Sequence, residues 1–332
     1  MNRSLLAIAV LAMAGLAGTV SAQSNVAIYG ITDAGLVVEG GGPAGTLTKM
    51  TSGVESASRL GFRGKEDLGG GLSANFALEM GALIDNGNLQ SGIGAFGRLS
   101  TVGLNGSLGA VNFGRQYTPY FKAVQAGDPF VTGLAGRATN LMSNSGTRYD
   151  NSILYTTPNL GGFSANLAYS LGEVAGNSAA SRAYGFSASY EYGRIVARVA
   201  HHNANNATDT ANTKNSLVGA DYNFGMAKAG LAYAVNKGPG TLDSSDVMIA
   251  VTVPFGANRL VASYIRKNDK LVANKDADQV GIGYIYALSK RTDIYTAYAH
   301  INNKNGAVYK VGNNTEAGSG DRAFNLGLRH TF

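Results

Sequence analysis

Between Leu72 and Met80 every second residue is apolar. Leu72, Ala74, Phe76, Leu78 and Met80 fall on one side of an extended chain, and Ser73, Asn75, Ala77 and Glu79 on the other. The same period recurs at 182–192, where Tyr184, Phe186, Ala188, Tyr190 and Tyr192 alternate with Ala183, Gly185, Ser187, Ser189 and Glu191. At 217–224, Val218, Ala220, Tyr222 and Phe224 oppose Leu217, Gly219, Asp221 and Asn223. Side chains of a strand point alternately to opposite faces, so each segment reads as a strand with one oily and one polar or small face. Strands are predicted near 25–38, 58–66, 72–83, 97–105, 109–116, 148–157, 162–171 and 182–192, then 194–203, 215–225, 227–237, 245–254, 258–267, 278–288, 291–301 and 321–332. That is about sixteen, an even number as single-chain bacterial barrels have; shifted boundaries leave about twelve or about eighteen as alternatives.

The connections alternate in length. Tight turns fall at 67–71, 105–109, 159–162 and Gly193, and longer polar loops at 39–57, 84–96, 172–181, 204–214, 268–277 and 302–320. Short turns at one end and long loops at the other are the pattern of an outer-membrane-type barrel. The ring must close, because lipid offers no partner to an open strand edge. No run of 18 apolar residues follows Ala22, so a spanning helix is not expected there. The fold class is therefore all-β, a transmembrane antiparallel barrel. In its last strand Phe324, Leu326, Leu328, His330 and Phe332 share a face, and this strand is expected to close the barrel against the first.

Composition agrees. Charged residues are 14%, against about 25% in ordinary globular domains, while glycine numbers 46 and tyrosine 17. Arg3, an apolar run from Leu5 to Ala17 and the small residues Val20-Ser21-Ala22 form an export signal peptide. The expected division is therefore 1–22 as a leader that is removed and 23–332 as a single barrel domain. Cysteine is absent, so the exported chain uses no disulfide. The net charge is +6, but Lys and Arg are scattered along the chain, which gives no face for nucleic acid. His201 and His202 would point to opposite faces of one strand, so no metal is expected. Gly40 to Gly45 matches a glycine-rich nucleotide loop only formally, because no helix follows, and no cofactor is expected.

Phase then places charges. Arg59, Arg63 and Lys65 alternate with Leu60 and Phe62; Glu79 opposes Leu78 and Met80; Arg198 opposes Ala197 and Val199. Arg148 and Asp150 alternate with Tyr149, Ile153 and Tyr155 if Asn151 sits on the apolar side. An arginine facing lipid at the midplane costs roughly 2–4 kcal/mol, so these charges are assigned to the lumen. Arg98 shares its phase with Val102 and Leu104, so either a bulge intervenes or it precedes the regular strand. Arg115 shares phase with Val111 and Phe113 and is left at a loop base or a subunit interface. The stretch 117–147 shows little alternation but carries Tyr117, Pro119, Tyr120, Phe121, Asp128, Pro129 and Phe130, a composition unlike a disordered loop.

Several blocks resemble the trimeric general porins of beta-proteobacterial outer membranes: 25–35, 58–69, 74–79, 108–116, 148–153 and the terminal Leu328-Arg-His-Thr-Phe332. The resemblance implies a sixteen-stranded homotrimer in outer-membrane lipid, whose third loop, here 117–147, folds into each lumen. It also implies a basic cluster of Arg59, Arg98 and Arg148 at the narrowest point, faced by Glu79 and Asp128. Such a channel passes small ions and hydrophilic solutes passively, with a mild anion preference, and is not an enzyme. The alternatives are a surface adhesin or structural barrel, and a barrel hydrolase; no nucleophile, histidine and acid cluster supports the last.

Overall fold

The alternating segments form one closed antiparallel sheet in a computed structural model that describes residues 25–332 except 91, 93, 143–145, 241 and 313–318. The expected leader at 1–22 lies outside the described residues. The strands are β1 (Asn25–Gly40), β2 (Leu47–Ser52), β3 (Arg59–Gly69), β4 (Leu72–Gly81), β5 (Leu99–Gly106), β6 (Gly109–Tyr117), β7 (Arg148–Thr156), β8 (Phe163–Ser170) and β9 (Ala183–Tyr192). Then come β10 (Ile195–Asn205), β11 (Asn212–Asn223), β12 (Lys228–Lys237), β13 (Asp243–Phe255), β14 (Asn258–Asp269), β15 (Ala277–Ala287), β16 (Thr292–Asn303) and β17 (Arg322–Thr331). One helix, α1 (Pro119–Gly127), and a 3-10 turn at Ala138–Asn140 lie between β6 and β7.

Neighbours in sequence pair around the ring, and β17 returns to β1 in register from Ile31↔Thr331 to Gly40↔Arg322. Both β2 and β3 pair with the other edge of β1, as Ala34↔Ser52 and Ile31↔Arg59. They share one barrel position, broken by the excursion at 53–58, so the described strands number seventeen around sixteen positions. β2 falls in what the sequence presents as the loop 39–57. Its residues, LTKMTS, are polar on both faces, so alternation does not reveal it.

Outward positions are apolar and exposed, as Val26, Ile28, Val102 and Leu104 on β1 and β5 and Phe324, Leu326 and Leu328 on β17. Every exposed tyrosine lies on β8 to β16. Many inward positions on β10–β16 are small or apolar, including Ala200, Leu217, Ala232, Ala234, Met248, Val261, Ala297 and Ala299, and the segment 118–147 covers them. That segment seats Tyr120, Val124, Phe130, Leu134, Leu141 and Met142 on this wall. Each fully buried apolar side chain is worth about 1.5–3 kcal/mol, so the loop is packed like a core.

Local chemistry fixes the loop's path. Thr118 caps α1 by accepting from the Phe121 N–H at 3.1 Å, and its hydroxyl donates to Gly146 O at 2.9 Å, which ties the two ends of the loop together. Pro119 begins the helix, where its missing N–H costs nothing. Farther on, the Asn140 amide donates to Gln279 of β15 at 2.8 Å, and Gln279 donates to Gly136 O at 3.0 Å. The Leu134 N–H donates to Val54 O at 2.7 Å, docking the loop on the excursion. Gly133 is required there, because a Cβ would stand 1.8 Å from the Glu55 carbonyl oxygen. The excursion is itself held by Asp33, whose carboxylate accepts from the N–H groups of Val54, Glu55 and Ser56 and from the Tyr295 hydroxyl.

Candidate functional site

With the loop folded against β10–β16, the facing wall of β3–β7 stays open, and the basic residues gather there. Arg59 opens β3, Arg98 immediately precedes β5, and Arg148 opens β7. Arg98 thus resolves its phase conflict by lying before the regular strand; its N–H still bonds Glu79 O at 3.1 Å. Its Nε donates to Glu79 Oε1 at 2.8 Å, and the Arg59 guanidinium reaches the same oxygen at 3.6 Å. Tyr29 donates to the other carboxylate oxygen at 3.3 Å.

Tyr117 organises the rest. Its hydroxyl accepts from Arg98 at 3.0 Å and from Arg148 at 2.6 Å. The Arg148 guanidinium also lies 4.2 Å from the ring centroid, and Arg148 Nε donates to Arg98 O at 2.6 Å. Phe121 stacks on Tyr117 at 5.4 Å, and the Lys122 ammonium lies 5.4 Å from the same ring. Arg59 and Arg98 therefore share a single carboxylate, Glu79, while the Arg148 guanidinium and the Lys122 ammonium lie beside them against the Tyr117 ring. Neither Tyr117 nor Lys122 stands out in the sequence as a pore residue. Tyr117 reads only as part of the loop's aromatic content, and a lysine on a short helix gives no signal of which face it takes.

A cavity of about 650 Å³ runs beside this cluster, lined by Arg59, Arg98, Tyr117, Lys122 and Arg148 on one side and Thr132, Arg137, Thr139 and Asn140 of the loop on the other. Glu55 is the one acid among the described residues that line it, and it is engaged by Arg259 at 2.8 Å and Arg329 at 3.3 Å.

Asp128 does not face the arginines. Its carboxylate is turned into the loop, where it accepts from the N–H groups of Phe130 (3.0 Å), Thr132 (2.9 Å) and Ala138 (2.8 Å). These bonds hold a turn in which Val131 and Thr132 have φ of 52° and 61°, a strained region for branched side chains. Burial pushes the Asp128 carboxyl up to about 6, partly offset by the same N–H groups. Burial likewise lowers the Arg137 guanidinium, with Asp128 and Glu39 acting in the opposite sense.

Asp150 also departs from the lumen. Gly114 pairs with Ser152 but Gln116 with Tyr149, so β7 carries one extra residue, and Asn151 there has φ of 49°. The bulge reverses the phase, and Asp150 meets Arg115 at 2.5 Å on the face shared with Phe113. Arg115 also donates to Gly97 O at 2.6 Å, close to the loop base. Arg198 points inward but is paired with Asp221 beneath α1 rather than gathered with the cluster. Arg63 and Lys65 continue the inward face of β3 and are exposed. Phe324, Leu326 and Leu328 line the outer face of β17, and Phe332 follows it.

A family model described as Gram-negative porin matches residues 7–306. The chain is 33% identical to outer membrane porin protein 32 of Delftia acidovorans and 30% identical to an outer membrane porin protein of Bordetella pertussis, each over the full length of both chains. A solved anion-selective porin from Comamonas acidovorans superposes with a TM-score of 0.80 at 30% identity, covering 93% of this chain and all of that one.

Proposed function

The chain belongs to the Gram-negative porin family, and from that premise we propose that this outer-membrane diffusion channel passes small anions in preference to cations. The observation that carries the preference is the imbalance at the narrowing. Arg59 and Arg98 share one carboxylate, Arg148 and Lys122 stand beside them against the Tyr117 ring with no ion pair among the described residues, and the loop opposite offers Thr132, Thr139 and Asn140 but no free acid. Fixed charges lining a pore bias which ion enters, and arginine stays charged at every physiological pH. The solved anion-selective relative supports the same sign. Residues 23–332 then act as one barrel domain with 117–147 as its constriction loop, and 1–22 are removed on export. Solutes cross unchanged, so the chain is read as a channel and not as an enzyme.

A homotrimer is the assembly this reading favours. Aromatic belts mark walls that meet the lipid–water boundary. Exposed tyrosines such as Tyr169, Tyr190, Tyr233, Tyr264, Tyr284 and Tyr298 stand on β8–β16, while β1–β6 present Val26, Ile28, Leu36, Val102 and Leu104, with Phe113 as an exposed aromatic ring on β6. That aliphatic wall suits contact with other copies of the chain.

The test is the reversal potential of the reconstituted channel in a potassium chloride gradient. A potential of the sign set by chloride is expected. A cation-selective channel would refute the charge argument, and failure of a correctly folded trimer to pass neutral sugars into liposomes would refute diffusion itself.

A further inference from the structure

The inward face of β3 does not end at Arg59. Register with β4 runs Arg59↔Gly81, Gly61↔Glu79, Arg63↔Ala77 and Lys65↔Asn75, so Arg59, Arg63 and Lys65 share the face on which Glu79 stands. At about 3.3 Å per residue, Arg63 lies about 13 Å beyond Arg59 and Lys65 about 7 Å farther, toward the tight turn at 67–71. The Arg63 guanidinium sits 5.1 Å from the ring centroid of Tyr29, whose hydroxyl bonds Glu79. The file is therefore continuous with the arginine cluster.

Both outer members are exposed, and neither makes an ion pair among the described residues. Their recess also presents Asn25, Ser73 and Asn75. Asp67 lies in it too, with Oδ1 held by the Gly69 N–H of its own turn at 2.9 Å. The long-loop half differs. There the lysines of β2 and β14 that line cavities are already neutralised, Lys49 by Glu39 at 3.3 Å and Lys267 by Asp246 at 2.7 Å. Arg63 and Lys65 thus stand without an acid partner among the described residues in the tight-turn half, where Arg198 and Lys228 share Asp221, whereas Lys49 and Lys267 of the other half each have one.

We propose that Arg63 and Lys65 form a second anion station at the tight-turn mouth, weaker than the arginine cluster and suited to small polyvalent anions such as phosphate. The station makes anion entry easier from that side than from the long-loop side. The proposal rests on the anion preference argued above and extends it along the channel. Conduction needs sites that attract an ion yet release it to the next. Exposed bases spaced at about a screening length supply such a relay.

The test uses the whole channel inserted with one orientation into a planar bilayer. Chloride current is expected to be larger when anions enter from the tight-turn side, by about twofold in about 0.1 M salt and not at all in about 1 M, where screening shortens to about 3 Å. Inorganic phosphate added on the tight-turn side should reduce chloride current more than phosphate added opposite. The double variant R63Q/K65Q should conduct symmetrically and keep its anion-signed reversal potential, while R63K/K65R should stay asymmetric. Symmetric wild-type current, or asymmetry that survives in R63Q/K65Q, would overturn the station and leave anion preference standing. A cation-selective wild type would overturn both.

Discussion

Phe332 and Gly30 exchange both backbone hydrogen bonds, each at 3.1 Å, and the Phe332 ring occupies the space a side chain at Gly30 would need, 2.4 Å from the ideal Cβ. The contact lies at the seam where β17 meets β1, so it bears on closure of the ring. Gly30→Val is expected to separate the ring from the seam at a cost of about 1–3 kcal/mol, the usual penalty of overpacking. The check is the fraction of chain that resists unfolding in detergent at room temperature and loses that resistance on heating. Gly30→Val should lower both that fraction and its midpoint. Wild-type values would show that the seam does not depend on this contact.

The three arginines of the narrowing are not equivalent, and their pairing ranks them. Arg98 is buried against Glu79, Arg59 shares that carboxylate at longer range, and Arg148 has Tyr117 and a carbonyl as its partners among the described residues. Arg148 therefore presents the least compensated charge to a passing ion. A unit charge about 5 Å from an ion in water contributes about 0.8 kcal/mol, which is about a fourfold effect. Arg148→Ser should reduce the chloride-to-potassium permeability ratio by about this factor, and Arg59→Ser by less. Arg98→Ser should change selectivity least and stability most, because it leaves Glu79 buried with a weaker partner. Reversal potentials and thermal unfolding of the three variants give the order. Equal effects of all three on selectivity would contradict the ranking.

What the sequence reveals and what it hides follow from the same alternation. Where a strand is lipid-facing on one side, phase locates Arg59, Glu79, Arg63, Lys65 and Arg198 inside the barrel. Phase fails where one residue is added, as at Asn151, which sends Asp150 to the outer face with Arg115. It also fails just outside a strand, where Arg98 is free to turn inward despite sharing parity with Val102. Asp128 is hidden for another reason. An acid in an aromatic loop serves equally as a pore charge or as an acceptor for the loop's own N–H groups, and its bond to Phe130 N, two residues on, is the local signature of the second role.

Asp128 should make the folded barrel sensitive to mild acid in an unusual direction. Its carboxyl rises from 3.8 to about 6 on folding because burial penalises the charged form more than three N–H groups favour it. A carboxyl raised in the folded state contributes stability that is complete below its unfolded value and is lost as pH rises through the folded value. The window is thus about pH 4 to 6, and the contribution is at most about 3 kcal/mol. The wild type should lose stability relative to Asp128→Asn as pH rises across this window, with no further divergence above it. Thermal unfolding of both proteins at matched pH values supplies the difference curve, and parallel curves from pH 4 to 7 would rule out this role.

Gly133 offers the most direct handle on the loop. Only hydrogen occupies the space between its Cα and the Glu55 carbonyl, and the next residue donates to Val54 O at 2.7 Å. Gly133→Ala must push the loop off the excursion, because the added methyl meets backbone and not a side chain that can rotate away. Losing that docking bond and leaving its groups unpaired costs about 1–3 kcal/mol. The barrel strands touch the change only through the loop, so they should stay paired while the narrowing becomes less fixed. Single-channel recordings should then show larger open-channel current noise, with an unchanged sign of selectivity because Arg59, Arg98 and Arg148 remain on β3–β7. A quiet channel with wild-type conductance would mean that the apolar seat of Tyr120, Phe130 and Met142 alone holds the loop.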